Sequence, residues 1–134
     1  MITTSRTSLD RPETETLLVR PFALLRLEGL ALLGASVAAH LSFGGHPAAL
    51  LLGFLADLTF VGYLAGPRVG AALYNLAHST VVPLALVAAG LVLKQPSALF
   101  AGLIWLSHIG FDRAFGYGLK YPDAFKRTHL TRGG

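Results

Sequence analysis

Four stretches of this chain are too long and too oily for a small water-soluble domain to bury. Leu24 to Phe43 is apolar almost without interruption for twenty residues. As a helix rising about 1.5 Å per residue, that run matches the roughly 30 Å hydrocarbon layer of a bilayer. It carries Arg26 and Glu28 and follows about twenty polar residues, so it reads as a span and not as a removable signal segment. Three more runs follow, at about 48–64, 69–93 and 97–117. Gly44-Gly45-His46-Pro47, Gly66-Pro67-Arg68 and Lys94-Gln95-Pro96 divide them, each bringing residues that end one helix and admit the next. Pro83 falls inside the third run, where its missing N–H predicts a kink.

Strands are a poor alternative, because the runs are Leu, Ala and Gly with neither alternation nor β-branched enrichment. A soluble bundle fails on its surface: helices apolar on nearly every face, joined by short turns, leave nothing to meet water. Only 13% of the chain is charged, about half the usual share of a soluble protein. The expected architecture is therefore all-α: an integral membrane four-helix bundle over 23–117, with a flexible polar tail at 1–22 and a basic aromatic tail at 118–134.

Charge placement gives the orientation. With the amino terminus cytoplasmic, Arg6, Arg11, Arg20, Arg26, Arg68, Arg113, Lys120, Lys126, Arg127 and Arg132 all fall on the cytoplasmic side, and only Lys94 on the other. That is the positive-inside bias expected of an even number of spans, and it puts both N and C termini in the cytoplasm of a multi-pass cell-membrane protein. Tyr117, Tyr121 and Phe125 fit an interfacial aromatic belt. The lipid bilayer is the expected partner. A net charge of +4 does not point to nucleic acid here, because the basic residues lie in tails and turns. The absence of cysteine excludes disulfides, thiolate metal sites and cysteine nucleophiles, and no phosphate-binding glycine loop or nucleophilic serine setting is evident.

Charged groups inside hydrocarbon cost about 2.5–3.5 kcal/mol each on insertion scales, so those that persist have partners or a task. This chain keeps Glu28, Asp57, Asn75, His78, His108, Asp112 and Arg113 within its runs. Alternating helix directions bring them all to the cytoplasmic half of the membrane. His108 and Asp112 are four residues apart, hence about 40° apart on one helical face; Asn75 and Tyr74 share a face with His78 in the same way. If both faces turn inward, two imidazoles and at least one carboxylate meet near Asp57 and Glu28. Imidazole nitrogen with carboxylate oxygen is a normal shell for zinc or another divalent transition metal.

Three readings of these residues stand open. In the first, Asp57, His78, His108 and Asp112 hold a metal, with Glu28 as a base, and the protein is a metal-dependent membrane hydrolase acting on a lipid-like substrate. The second is a structural or accessory subunit, whose internal network pairs Arg113 or Arg68 with Glu28 or Asp112 and hydrogen-bonds Asn75 to a neighbouring helix. In the third, the same groups relay protons, which in a bundle this small calls for a homo-oligomer. His40, His46 and His129 lie near predicted ends or in tails and read as interfacial. Gly62, Gly66 and Gly70 recur every four residues, with Gly66 read mainly as a turn.

The segments LRLEGLALL, LADLTFVGYLAGPRVGAALYNLAHS, GLIWLSHIGFDRAFGYGLKYP and FKRTHL, spanning about Leu25 to Gly133, resemble the bacterial "domain of unknown function 4260" membrane family. The resemblance implies a short four-helix membrane protein and no established activity. On it, Glu28, Asp57, Gly66, Pro67, Arg68, Asn75, His78, His108, Asp112, Arg113 and Lys120 match recurring polar and turn positions. Ala56 stands where many relatives have proline. An aspartate followed some twenty residues later by His78-Ser79 is also similar to membrane-bound metal-dependent hydrolases, although their histidine-arginine-glycine motif is absent at Tyr74-Asn75-Leu76.

Overall fold

The computed structural model describes residues 20–119. Most of both tails, with Lys120, Tyr121, Phe125 and His129, lies outside the described residues. Within them the chain is helical, and no strand is present. Helix α1 runs Pro21–Ser42, a 3-10 helix runs Pro47–Ala65, and α2 (Pro67–His78), α3 (Val81–Val92) and α4 (Pro96–Ala114) follow. Proline at the start of α1, the 3-10 helix, α2 and α4 explains where each begins, because its fixed φ suits the first turn and its missing N–H is not needed there.

Three helical stretches among the described residues are long and apolar enough to cross a membrane: Pro21–Ser42, Pro47–Ala65 and Pro67–Val92. Their outer faces stay apolar, with Leu30, Leu51, Leu64, Val81 and Val92 all more than half exposed, as a lipid-facing surface requires. The protein is thus an all-α membrane protein built as a four-helix bundle, α2 and α3 forming one broken helix. Its middle is α4, which packs against α1, α3 and the 3-10 helix. Leu99, Gly102, Leu103, Leu106, Ser107, His108, Ile109 and Gly110 are buried along it. This placement explains why the most polar helix of the four is tolerated: its neighbours shield it from lipid.

The second helix is wound more tightly than an α-helix. Its burial repeats every three residues: Gly53, Ala56, Thr59 and Gly62 face inward, while Leu52, Leu55, Leu58, Val61 and Leu64 face out. The remaining row is Phe54, Asp57, Phe60 and Tyr63. In an α-helix such a row would drift by about 60° per step, whereas in a 3-10 helix residues three apart eclipse. At about 2.0 Å per residue the 19-residue element also extends to about 38 Å, against about 28 Å as an α-helix. Small side chains on the inner row let it lie close to α2 and α4.

The kink expected at Pro83 appears as a break one turn earlier. Pro83 has no N–H for the carbonyl of Ser79 and its ring crowds that carbonyl, so the chain opens at Ser79 (φ −82°, ψ 143°) and restarts after Thr80. Gly66, read as a turn residue, joins the 3-10 helix to α2 at φ 114°, ψ 164°. Side chains rarely enter that region. Gly66→Ala is expected to cost on the order of 1–3 kcal/mol in reversible unfolding from detergent; wild-type stability would show that the junction does not need this backbone.

His40, in the last turn of α1, is covered by protein. It is buried, its ring packs edge-on to Phe100 at 5.4 Å, and Nε2 bonds the His46 carbonyl at 2.9 Å. His46 in turn caps the 3-10 helix, its Nδ1 accepting from the Ala48 amide at 3.1 Å. Together they clasp the end of α1 to the start of the next helix.

Candidate metal centre

Asp57 occupies the middle of the 3-10 helix, His78 the last residue of α2, and His108 and Asp112 successive turns of α4. The fold brings all four to one point, with one donor atom from each within 4.8 Å of the rest. His78 Nε2 lies 3.1 Å from Asp57 Oδ1 and 3.3 Å from Asp112 Oδ2; His108 Nε2 lies 3.2 and 3.4 Å from the same two oxygens. The two Nε2 atoms are 3.4 Å apart.

Hydrogen-bond bookkeeping makes these distances informative. His78 Nδ1 is 2.9 Å from the Tyr74 carbonyl oxygen, which can only accept, so Nδ1 carries the proton. In a neutral imidazole the Nε2 facing the cluster is then a bare lone pair. It points at two carboxylate oxygens and at a second imidazole nitrogen. A cation at the centre would satisfy such a meeting of acceptors, as would protons on the imidazoles. Two carboxylates with two neutral imidazoles total −2, the charge a divalent ion cancels.

The spacing fits one. Four ligands about 2.0–2.1 Å from a tetrahedral zinc ion lie about 3.3 Å from one another; five of the six separations here fall between 3.1 and 3.4 Å, and the whole group lies within 4.8 Å. A backbone carbonyl accepting from the far nitrogen of a histidine ligand is also the usual device for orienting the ring. Around the centre, the Tyr74 ring stacks on His78 at 3.8 Å with an 11° tilt, and Phe54 meets His108 edge-on at 5.0 Å. Arg113 Nη2 donates to the His78 carbonyl at 3.0 Å, satisfying the orphaned end of α2 at the break. The Trp105 indole N–H donates to the carbonyl of Ala77.

Access is one-sided. The histidine side chains are 3% and 1% exposed, but Asp112 is 14% and Asp57 38%, so the open approach lies past Asp57. The remaining sequence candidates are elsewhere. Glu28, exposed on α1, shares a cavity of about 210 Å³ with Thr80 and Arg113 and is not among the four. Arg68 is exposed in the first turn of α2, and Asn75 is half-buried one turn before His78. Sequence reading missed Phe54, Trp105 and Gly53 as parts of the site. Phe54 stands three residues before Asp57 and lines up with it fully only in a helix of period three, and Trp105 gives no sign in sequence of its bond to Ala77.

A family described as a domain of unknown function (DUF4260) matches residues 22–132. The chain belongs to this family. No curated protein and no solved structure matches it.

Proposed function

We propose that this member of the DUF4260 family is a membrane-embedded metalloprotein that holds a divalent transition ion, zinc foremost, between Asp57, His78, His108 and Asp112, and uses it to hydrolyse an amphipathic, lipid-like substrate. The observation that carries the reading is that His78 Nε2 faces two carboxylate oxygens at 3.1 and 3.3 Å while its Nδ1 is held at the Tyr74 carbonyl. A bound ion supplies Lewis-acid polarisation and lowers the pKa of coordinated water toward neutrality. The protein's own contribution is positional. Tyr74 and Phe54 fix the two rings, α4 excludes water from behind, and Asp57, the more exposed carboxylate, is placed to accept a proton from an incoming nucleophile. Glu28 lines the Arg113 cavity, apart from the four ligand residues. We place both termini on the cytoplasmic side of the cell membrane, on the strength of the ten basic residues gathered there.

Purified in mild detergent, the wild type is expected to retain about one zinc per chain. His108→Ala and Asp112→Ala should fall below about a tenth of that, and should release no product from vesicle lipid that the wild type cleaves. A folded wild type that takes up no zinc would sink the metal reading and favour a network that fixes helix register. A zinc-loaded wild type inert toward acyl lipids would sink the hydrolase reading alone.

A further inference from the structure

Along the membrane-facing seam between the 3-10 helix and α4 runs a groove of about 410 Å³, within the range of small-ligand pockets. Leu52, Leu55, Phe100 and Ile104 wall it, and Ser97, in the first turn of α4, marks its far end. The near end abuts the metal-ligand group through three lining residues. Gly53 lines the groove and is also the surface on which His108 packs, since a Cβ there would sit 2.8 Å from that of His108. Trp105 lines it too while bonding the carbonyl next to His78. Ala56, another lining residue, immediately precedes Asp57. From Ser97 to Trp105 the groove follows α4 for about 12 Å and stops at the level of the polar centre.

We infer that this groove holds one acyl chain of a membrane lipid, with the acyl linkage lying at Asp57, so that the substrate class is acyl esters or amides. The inference rests on the hydrolase reading. One occupant suits both ends. A water-soluble molecule would leave an apolar trough unfilled, and a plain hydrocarbon would offer nothing to two carboxylates and two imidazoles. An acyl lipid lays its chain along Leu52, Leu55 and Ile104 and its polar linkage beside the exposed carboxylate. In the reaction the oxygen of water bonds the acyl carbon, and the bond from that carbon to the head-group oxygen or nitrogen breaks. One water proton passes to the leaving atom, giving a fatty acid and the head-group alcohol or amine. Asp57 carries that proton between the two.

The test uses the full chain, zinc-loaded, in phosphatidylglycerol vesicles containing a phosphatidylglycerol with a diazirine in one acyl chain. Photolabelling should concentrate on the peptides bearing Leu52, Leu55 and Ile104, at least about tenfold over Leu84 and Leu91 on the outer face of α3. Ala101→Trp, which fills the groove at an exposed position, should remove about nine-tenths of that labelling with zinc content unchanged. Ser97→Trp should confine labelling to shorter chains. If Ala101→Trp fails to fold, Ser97→Trp decides. Labelling spread evenly over the lipid-facing surface, or groove labelling that survives both variants, overturns the inference. So does a changed oligomeric state in Ala101→Trp with labelling intact, which would make the groove an interface between copies. Zinc-loaded wild type that labels in the groove yet releases no fatty acid keeps the acyl site and retires the hydrolase reading instead.

Discussion

Asp57→Asn with Asp112→Asn is expected to give a protein that holds no zinc yet resists unfolding better than the wild type stripped of its metal. The reason lies in the lone pairs. Without an ion, Asp57 Oδ1 and Asp112 Oδ2 each sit 3.1–3.4 Å from both imidazole Nε2 atoms, and Nδ1 of His78 is committed to the Tyr74 carbonyl. Two negative charges then stand together in a centre whose rings are almost fully buried. An uncompensated buried charge costs about 3–5 kcal/mol, a cost that falls mainly on Asp112, since Asp57 is 38% exposed. Asparagine keeps the size of aspartate and replaces an acceptor with an N–H donor, so each variant side chain can donate to a histidine Nε2. The expected order of stability in detergent is zinc-loaded wild type, then the double variant, then chelated wild type, with the last two about 2–4 kcal/mol apart.

Chelator should leave the double variant's unfolding curve where it was and shift that of the wild type. Acid should also shift the wild-type curve, because imidazole must be neutral to ligate and protons compete with the ion. A proton-bridged network predicts the opposite ranking: chelator does nothing to the wild type, and removing both carboxylates destabilises it under every condition. The two orders do not overlap, so one set of unfolding curves decides between them.

Much of the centre was legible in the sequence because it rests on helical spacing. His108 and Asp112 four apart, and His78 on a run of opposite direction, put those side chains at one depth before any coordinates. The membrane-spanning helices were legible for the same kind of reason, since lipid leaves backbone groups no partner outside the helix. What escaped depends on contacts between distant segments. Nothing local says that α4 is the central helix, so Glu28 on α1 reads as a neighbour of the cluster when it faces Thr80 and Arg113 instead. That His40 is buried depends likewise on the loop after α1 folding over it, with Gly45 directly against its ring.

The winding of the second helix is a different matter, because its signal is local. Gly53, Ala56, Thr59, Gly62 and Ala65 place a small side chain at every third position, a row that stays on one face over four turns only at three residues per turn. The same period aligns Phe54 with Asp57. That alignment explains why an aromatic side chain three residues before the carboxylate reaches the ring of His108, which Asp57 also contacts.

Gly53 ties the helix geometry to the centre, and its replacement is expected to separate metal binding from folding. A methyl group there would stand 2.8 Å from the Cβ of His108 and 2.9 Å from the carbonyl oxygen of Ile104. Neither can yield cheaply, because one is backbone and the other belongs to a ring held by Phe54 and two carboxylates. Gly53→Ala must therefore push the 3-10 helix away from α4, and overpacking of this kind costs about 1–3 kcal/mol. The displaced helix carries Asp57 with it, four residues along. Since ligand distances tolerate only about 0.2 Å, zinc affinity should fall at least about tenfold, or roughly 1.4 kcal/mol, while the protein remains folded. Gly34 supplies the control: it lies in the middle of α1 with nothing within 4 Å of an added Cβ. Gly34→Ala should leave zinc affinity unchanged and, by helix propensity, alter stability by no more than about 1 kcal/mol. Equal zinc affinity in Gly53→Ala, measured by competition with a chromogenic chelator, would mean that close approach of the 3-10 helix does not set the position of Asp57. The metal centre would then need a different account of what holds its most exposed ligand.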